Sequence, residues 1–523
     1  MEETKMQKKI ISFLLALTMI MGLLAGCGNG EIQDHEVTED PNAATEPVIE
    51  ATEAVVDDYS ERVDLVFYQL GNAPAAEAEV EAAINEILLE KVNATVDFQF
   101  STWTNWTDKY NTMLTTKGAD IIYAANWAGF GNLAKSGAFY ELDDLLDTVS
   151  PELRSFVGEE MLDACRVNGK IMTIPSTWKQ YSCYGFEYRE DLRAKYDLPY
   201  PDSVENVEAY LLGIKENEPN QPLLVHNGEY ALFFKDCLAL NAYGLRSTCD
   251  EPGEVYDYWF SDEFIEDMKL MKKWADLGFW SRSIAADTSS GGEEFDAGMC
   301  VAMVHGMNPN KWANRVQDWA TTHPEWETGF IAYRTNFGWT VANDPTNDTT
   351  AITASCKNPE RALKVLELLM LDKELNMLLH YGIEGVHYTV SEDGLYQNLD
   401  SNFGYEGLSA WGLRNPTYKL SNGVGGQLLE EKFKEYAEIT AASGAPMTDP
   451  FTGFTENSEA YVAEKAAVSN VIAEYLTPLM NGLVNDVDAS VATFREKVKE
   501  AGLDVVREYY VQQWMDYLAT KGY

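Results

Sequence analysis

"VDLVFYQLGNAPAAEAEVEAAINEILLEKVNATVDFQFSTWTNWTDKYNTMLTTKGADIIYA" (residues 63–124) changes its hydrophobic period four times. Val63 to Tyr68 is a short strand-like run, closed by Gly71 and Pro74. Val80, Ile84, Leu88 and Val92 then recur at the spacing of one helix face. Residues 94–100 alternate, with Val96, Phe98 and Phe100 on one side. Residues 105–117 read as a helix that Gly118 stops, and 119–124 as another strand. This β-α-β-α-β order predicts an α/β lobe with a largely parallel sheet.

Upstream lies a different kind of segment. Met6-Gln7-Lys8-Lys9 is basic, residues 10–24 are almost wholly apolar, and the small pair Ala25-Gly26 precedes Cys27. That is the order of a secretory signal. The apolar run is short of the ~20 residues that span a bilayer. Leu24-Ala25-Gly26-Cys27 resembles the bacterial lipobox. The resemblance implies cleavage after residue 26 and a lipid on Cys27, whose acyl chains anchor at ~0.8 kcal/mol per buried CH₂. Residues 27–61 are acidic and poor in large apolar side chains, so they read as a disordered tether.

Downstream, about 460 of the 523 residues remain, too many for one small core, and two or more lobes are expected. Asn168 to Pro175 reads as a hairpin turn and a strand, after which a second lobe begins. Helices are expected at 203–216 and 262–277, and a strand at 301–305. Residues 339–354 alternate again, and 359–379 read as one long helix with Pro359 in its first turn. The tail is helical: Val468, Ile472, Tyr475 and Leu479 mark one face. Asp488 and Asp504 are candidate N-caps, with Gly502 a stop between them.

The net charge of −45 argues against nucleic acid, which needs a basic footprint, and against broad binding to anionic membrane surfaces. Neutral ligands are the default. Besides Cys27 there are six cysteines (Cys165, Cys183, Cys237, Cys249, Cys300, Cys356), none in a CxxC pair; export permits disulfides but the spacing demands none. The six histidines include no i, i+4 pair on a helix, so no metal is expected. HExxH, GxSxG and GxxxxGK[ST] do not occur. Gly129-Phe-Gly131-Asn-Leu-Ala134 matches GxGxxA after a strand, but three residues separate strand and motif. No second strand ending in an acidic residue follows at the required distance, so no nucleotide cofactor is expected. Carboxylates are too abundant to single out a glycosidase pair, and none sits at a distinctive strand end.

Aromatic residues beside strand ends stand out instead. Trp127 follows the strand 119–125 directly after Asn126. Trp103 and Trp106 follow the strand ending at Phe100; Trp106, at helical spacing from Tyr110, is more easily read as packing. Trp178, Tyr181 and Tyr184 follow Pro175, Trp339 opens a return segment, and Trp411 lies in a Gly/Asn-flanked loop. Ligands of open α/β sheets bind outside the carboxyl ends of the strands. A flat indole face suits the apolar C–H face of a pyranose. Trp127, Trp339, Trp178, Tyr184 and Trp411 are therefore candidate platforms. Asn126, Gln69 and Glu384, each after a strand or in a glycine-flanked turn, are the polar candidates. His387 is more easily read as structural. Lys179, Arg334 and Arg414 leave room for an acidic sugar.

Several stretches resemble the family 1 extracellular solute-binding lipoproteins of bacterial ABC sugar importers. "NGKIMTIP" (168–175) is similar to that family's Gly-Lys-x-Tyr-x-Ile-Pro crossing, with Met172 for Tyr. Tyr188-Arg-Glu-Asp-Leu192 and the helix start at Ser203 match a second stretch, and "FDAGMCVAM" (295–303) and residues 351–388 a third and fourth. The last of these, with 464–482 and 501–518, resembles a Gram-positive subgroup with an extra C-terminal domain of unknown function. The resemblance implies a two-lobed type II periplasmic-binding-protein-like fold with central mixed sheets, hinge crossings and a helical C-terminal region. It implies a first lobe of 62–177 plus about 346–410 and a second of 178–345 plus about 411–523. A monomer on the outer face of the cell membrane would pass an oligosaccharide, unaltered, to ABC permease subunits. Some relatives carry a calcium loop where this chain reads "KENEPNQPLL" (215–224). That stretch lacks the Asp-x-Asp/Asn-x-Asn-Gly ligand order, so no calcium is expected there. The alternatives are a binder of another solute such as a peptide, or an exported glycoside-active enzyme.

Overall fold

The computed structural model describes residues 59–103, 105–181, 183–225, 235, 238–239, 243–248, 250–284, 291–307, 309–444, 450–451 and 454–522. Cys27, the signal segment and nearly all of the tether fall outside these residues.

The opening pattern folds as its periods demand. β1 (Val63–Leu70), α1 (Glu77–Val92), β2 (Ala94–Ser101), α2 (Trp106–Thr116) and β3 (Ile121–Ala124) follow one another. Val80, Ile84, Leu88 and Val92 are all buried. Asn93 ends α1 with φ 47°, a left-handed turn that Asn tolerates, and β2 starts at the next residue. Arg361, itself buried, closes that helix end by donating to the carbonyls of Val92 (2.5 Å) and Asn93 (3.0 Å). The Asn85 side chain clips α1 to the sheet, accepting from Val96 N–H at 2.7 Å and donating to Val96 O at 2.8 Å.

β1 pairs in parallel with β2 from Val63↔Ala94 to Leu70↔Ser101, and with β3 on its other side. Two further strands complete this sheet from far away in sequence. After α3 (Phe130–Lys135) and α4 (Glu159–Ala164) comes β4 (Ile174–Pro175), at the sheet edge. Beyond β5 (Cys183–Arg189), α5 (Val204–Asn217), α6 (Asp262–Asp276), β6 (Ala302–Met307) and β7 (Thr328–Ala332) comes β8 (Thr349–Ile352). β8 lies antiparallel between β3 and β4, giving the order β2-β1-β3-β8-β4. One face of this sheet buries Leu65, Phe67, Ile84, Leu88 and Leu366; the other buries Tyr68, Tyr110, Tyr123, Phe130 and Ala134.

The second lobe is built on the antiparallel sheet β6-β5-β7. Its core joins α5 (Tyr210, Ile214), α6 (Phe264, Met271, Trp274) and the C-terminal helices (Phe494, Val506, Tyr510, Trp514). The tail is therefore part of this lobe's core rather than an appendage.

Four expectations shift. The helix expected over 359–379 breaks: α7 (Pro359–Leu371) stops at Asp372, whose carboxylate caps α8 (Lys373–Tyr381) by accepting from Leu375 N–H. Asp486, not Asp488, caps the helix Val487–Glu500, and Gly502 rather than Asp504 begins the last one. Of the alternating stretch 339–354 only Thr349–Ile352 is strand. Finally, residues 411–418 stay with the first lobe. Leu413 lies in its core, Asn415 donates to Met370 O and Tyr418 to Leu371 O. The last crossing thus falls just before α9 (Gly423–Ser443), not at about 411.

Candidate functional site

The carboxyl ends of β2 and β3 carry a wall of indoles. β3 runs out at Ala124 and the chain makes one tight turn, Asn126–Ala128, before Gly129 at φ 82° admits α3. Asn126 Oδ1 accepts from Trp127 N–H at 2.6 Å and fixes that turn. Trp127 is left 45% exposed, its indole N–H donating to Asn347 O at 3.0 Å. Trp103, just after β2, is 51% exposed and stacks on Trp411 with centroids 5.7 Å apart and planes at 12°. Trp103 and Trp127 lie 6.2 Å apart, and Trp106 props Trp127 edge-on at 5.7 Å. Tyr123 backs both Trp127 and Trp411. At the end of β1, Gly71 has φ 115°, a backbone conformation that residues with side chains rarely adopt, and it packs close to Ser409 and Trp411.

Behind this wall runs a buried polar chain. Tyr123 O–H donates to Asp348 Oδ1 at 2.5 Å, and Asp348 Oδ2 accepts from Arg414 Nη1 at 3.2 Å. Arg414 makes a two-point pair with Glu406, through Nε and through Nη2 at 2.8 Å. Its guanidinium lies 5.1 Å over Trp178, against which Lys419 Nζ (5.3 Å) and the His380 ring (6.1 Å) also lie. Burial drives the Tyr123 hydroxyl far above its usual range and pushes His380 down to about 4. Burial also works against the Glu406 carboxylate, but the Arg414 charge outweighs it and the group titrates below its ordinary value.

Beside Asn347 opens a cleft of about 730 Å³, within the range of small-molecule sites. Two crossings make one wall. Residues 180–181 and 342–343 run antiparallel, joined by the Tyr181↔Ala342 bridge and by Asn343 N–H donating to Gln180 O at 2.8 Å. Trp178, Lys179, Gln180, Asn343, Asp344, Asn347 and Asp348 line that side, Glu160 and Asp163 of α4 another, and Tyr517 and Lys521 the second-lobe side. Trp178 Nε1, Gln180 Oε1 and Asn343 Nδ2 are buried without a hydrogen-bond partner. A buried polar group left unpaired costs about 1–3 kcal/mol, and all three of these belong to residues that line one cleft.

The candidates sort accordingly. Trp127, Trp411 and Asn126 meet at the indole wall, and Trp178 lines the adjoining cleft. Trp339 is only 4% exposed, packed with Val341 under the Arg334 guanidinium at 4.7 Å, so it is a packing residue and not a platform. Gln69 is fully buried within β1, and Glu384 is exposed in the turn after α8; neither lines the cleft. The Tyr184 side chain lies outside the described residues. Arg414, committed to Glu406 and Asp348, is not free for an acidic sugar, whereas Lys179 lines the cleft. His387 is buried and accepts from Ile383 N–H, as a structural histidine does. Gln180 and Asn343 were not foreseen. Gln180 had one signal: an amide two residues after Trp178 on the same strand-like crossing points to the same side. Among the described residues, no group of three or more His, Cys, Asp or Glu could hold a metal ion.

Residues 71–374 match the bacterial extracellular solute-binding protein family, over more than half of the chain, and the protein belongs to that family. Residues 450–519 match a domain of unknown function, DUF3502. The chain is 26% identical over 488 residues to a carbohydrate ABC transporter substrate-binding protein of Streptococcus pneumoniae, covering 89% of this chain and 93% of that one. Among solved structures it is similar to the N-glycan transport solute-binding protein NgtS of the same species, at TM-score 0.71 and 22% identity, over 88% of this chain and all of that one. A human-milk-oligosaccharide-binding protein of Bifidobacterium longum infantis gives TM-score 0.61 at 16% identity, over 87% of this chain and 98% of the other. These likenesses agree with the two-lobed fold.

Proposed function

We propose that this protein is a lipid-anchored cell-surface receptor that captures an oligosaccharide between its lobes and hands it, unaltered, to an ABC importer. The observation that carries this reading is the pair of half-exposed indoles, Trp103 and Trp127, with Trp411 stacked against Trp103, beside a cleft whose lining residues hold three unpartnered polar atoms. Flat aromatic faces take the C–H faces of successive sugar rings. Trp178, Gln180 and Asn343 offer a donor, an acceptor and a donor to ring-edge hydroxyls. Sugar contacts made to both lobes exist only when the lobes are closed, and this difference shifts the population toward the closed form that a permease recognises. The sugar-binding relatives support the ligand class, and the lipobox supports anchoring through Cys27.

The test is a panel of neutral oligosaccharides and peptides, read by thermal shift and by chromatography of the ligand afterwards. A ligand at 100 times its Kd stabilises by ~2.7 kcal/mol, which moves Tm measurably. A shift with an oligosaccharide recovered intact is the expected result. A shift with peptides alone refutes the sugar reading, and cleaved sugar makes the protein an enzyme.

A further inference from the structure

The GxGxxA stretch has a use unconnected with nucleotides. Gly131 and Lys135, four residues apart on α3, lie on one face of that helix. Phe130 and Ala134 hold α3 in the first lobe's core. What faces Gly131 comes from the other lobe. A Cβ on Gly131 would overlap Thr455 Oγ1 and Cγ2 and lie 2.9 Å from Thr455 Cβ. Lys135 Nζ donates to the Thr455 carbonyl at 3.2 Å. Thr455 is itself held on the second lobe by the residues on either side of it. Before it, Phe454 packs on Trp514 at 5.1 Å. After it, the Glu456 carboxylate accepts from Tyr461 O–H at 2.6 Å and from Tyr243 O–H at 3.2 Å, and pairs with Lys465 at 2.9 Å. The contact is thus made by two anchored surfaces, neither of which is a segment that joins the lobes covalently.

We propose that segment 454–459 is a latch, by which the C-terminal domain of unknown function clasps α3 and sets the balance between closed and open lobes. Gly131 is required because only hydrogen leaves room for Thr455. The inference rests on the two-lobed architecture and not on what is bound, so it stands or falls apart from the sugar reading.

The test is hydrogen exchange with small-angle X-ray scattering on the full chain without ligand, for wild type, Gly131→Ala, Thr455→Gly and the double variant. Alanine is the better helix former, so the substitution alone would slow exchange in α3. A broken latch does the opposite. In Gly131→Ala, amides of α3 and of 454–459 should exchange several-fold faster together, and the radius of gyration should rise. Removing the Thr455 side chain in the double variant should return both readings toward wild type. Exchange in Gly131→Ala that is unchanged or slower, a change confined to α3, or a double variant no better than the single one, each overturns the proposal.

Discussion

Trp127 and Trp339 were equivalent as sequence and are opposites as structure, so their alanine variants should separate binding from packing. Trp127 is 45% exposed. A tryptophan presents up to ~250 Å² of burial, so roughly 110 Å² of this ring is available to a ligand. At ~25 cal/mol/Å² that is at most ~3 kcal/mol, and about half of it if a pyranose covers only part of the exposed face. Trp127→Ala should therefore raise Kd roughly 10- to 150-fold. It should lower stability only modestly, because the indole forfeits one hydrogen bond, to Asn347, and part of its packing. Trp339 is 4% exposed, and Trp339→Ala should cost ~3–5 kcal/mol of folding stability as a cavity forms. Its Kd, measured well below its lowered Tm, should stay within a few-fold of wild type. Isothermal titration with an oligosaccharide found by the panel gives Kd, and urea unfolding gives stability. The reasoning fails if Trp127→Ala binds as well as wild type, or if Trp339→Ala loses affinity while keeping its stability.

Other outcomes follow from the same geometry. Arg414→Met should destabilise by ~3–5 kcal/mol in urea unfolding, since it strands the buried charges of Glu406 and Asp348; Glu406→Gln added to it should recover part of the loss. His380 titrates near 4 in the fold against an ordinary 6.5, so between those values the unfolded chain holds a proton that the folded chain lacks. Stability should therefore fall by up to about 3 kcal/mol as pH drops from about 6.5 to about 4. Glu77, raised to about 7 by burial and by Glu81, acts in the opposite sense, so the quantity to measure is the difference between wild type and His380→Gln. That difference should vanish if His380 is protonated in the folded state. Asn343→Leu should weaken oligosaccharide binding about tenfold without lowering Tm, because the amide nitrogen it removes has no partner in the free protein. An unchanged Kd would remove Asn343 from the site.

What could be read from the sequence was what neighbouring residues decide among themselves. The stripe Val80, Ile84, Leu88, Val92 is buried on schedule because its period is a property of α1 alone. Trp127 could be picked out because the strand that ends beside it is local too. The misreadings share a cause. Trp339 looked like the start of a strand because 339–354 alternates, yet a strand forms only where a partner lies alongside. β3 and β4 offer one to Thr349–Ile352 and nothing to Trp339, which Arg334 covers instead. The break at Asp372 was hidden because leucines continue through it while an aspartate caps the next helix. Gln180 and Asn343 become a pair only when two crossings about 160 residues apart lie antiparallel, a fact of topology that neither segment carries. The same holds for Gly131: the glycine is visible, but the threonine that requires it comes from the far end of the chain. Trp103 and Trp127 each follow a strand of their own, and that much of the wall is local; Trp411, which stacks on Trp103, and the paired crossings of Gln180 and Asn343 are brought there only by the topology of the whole chain.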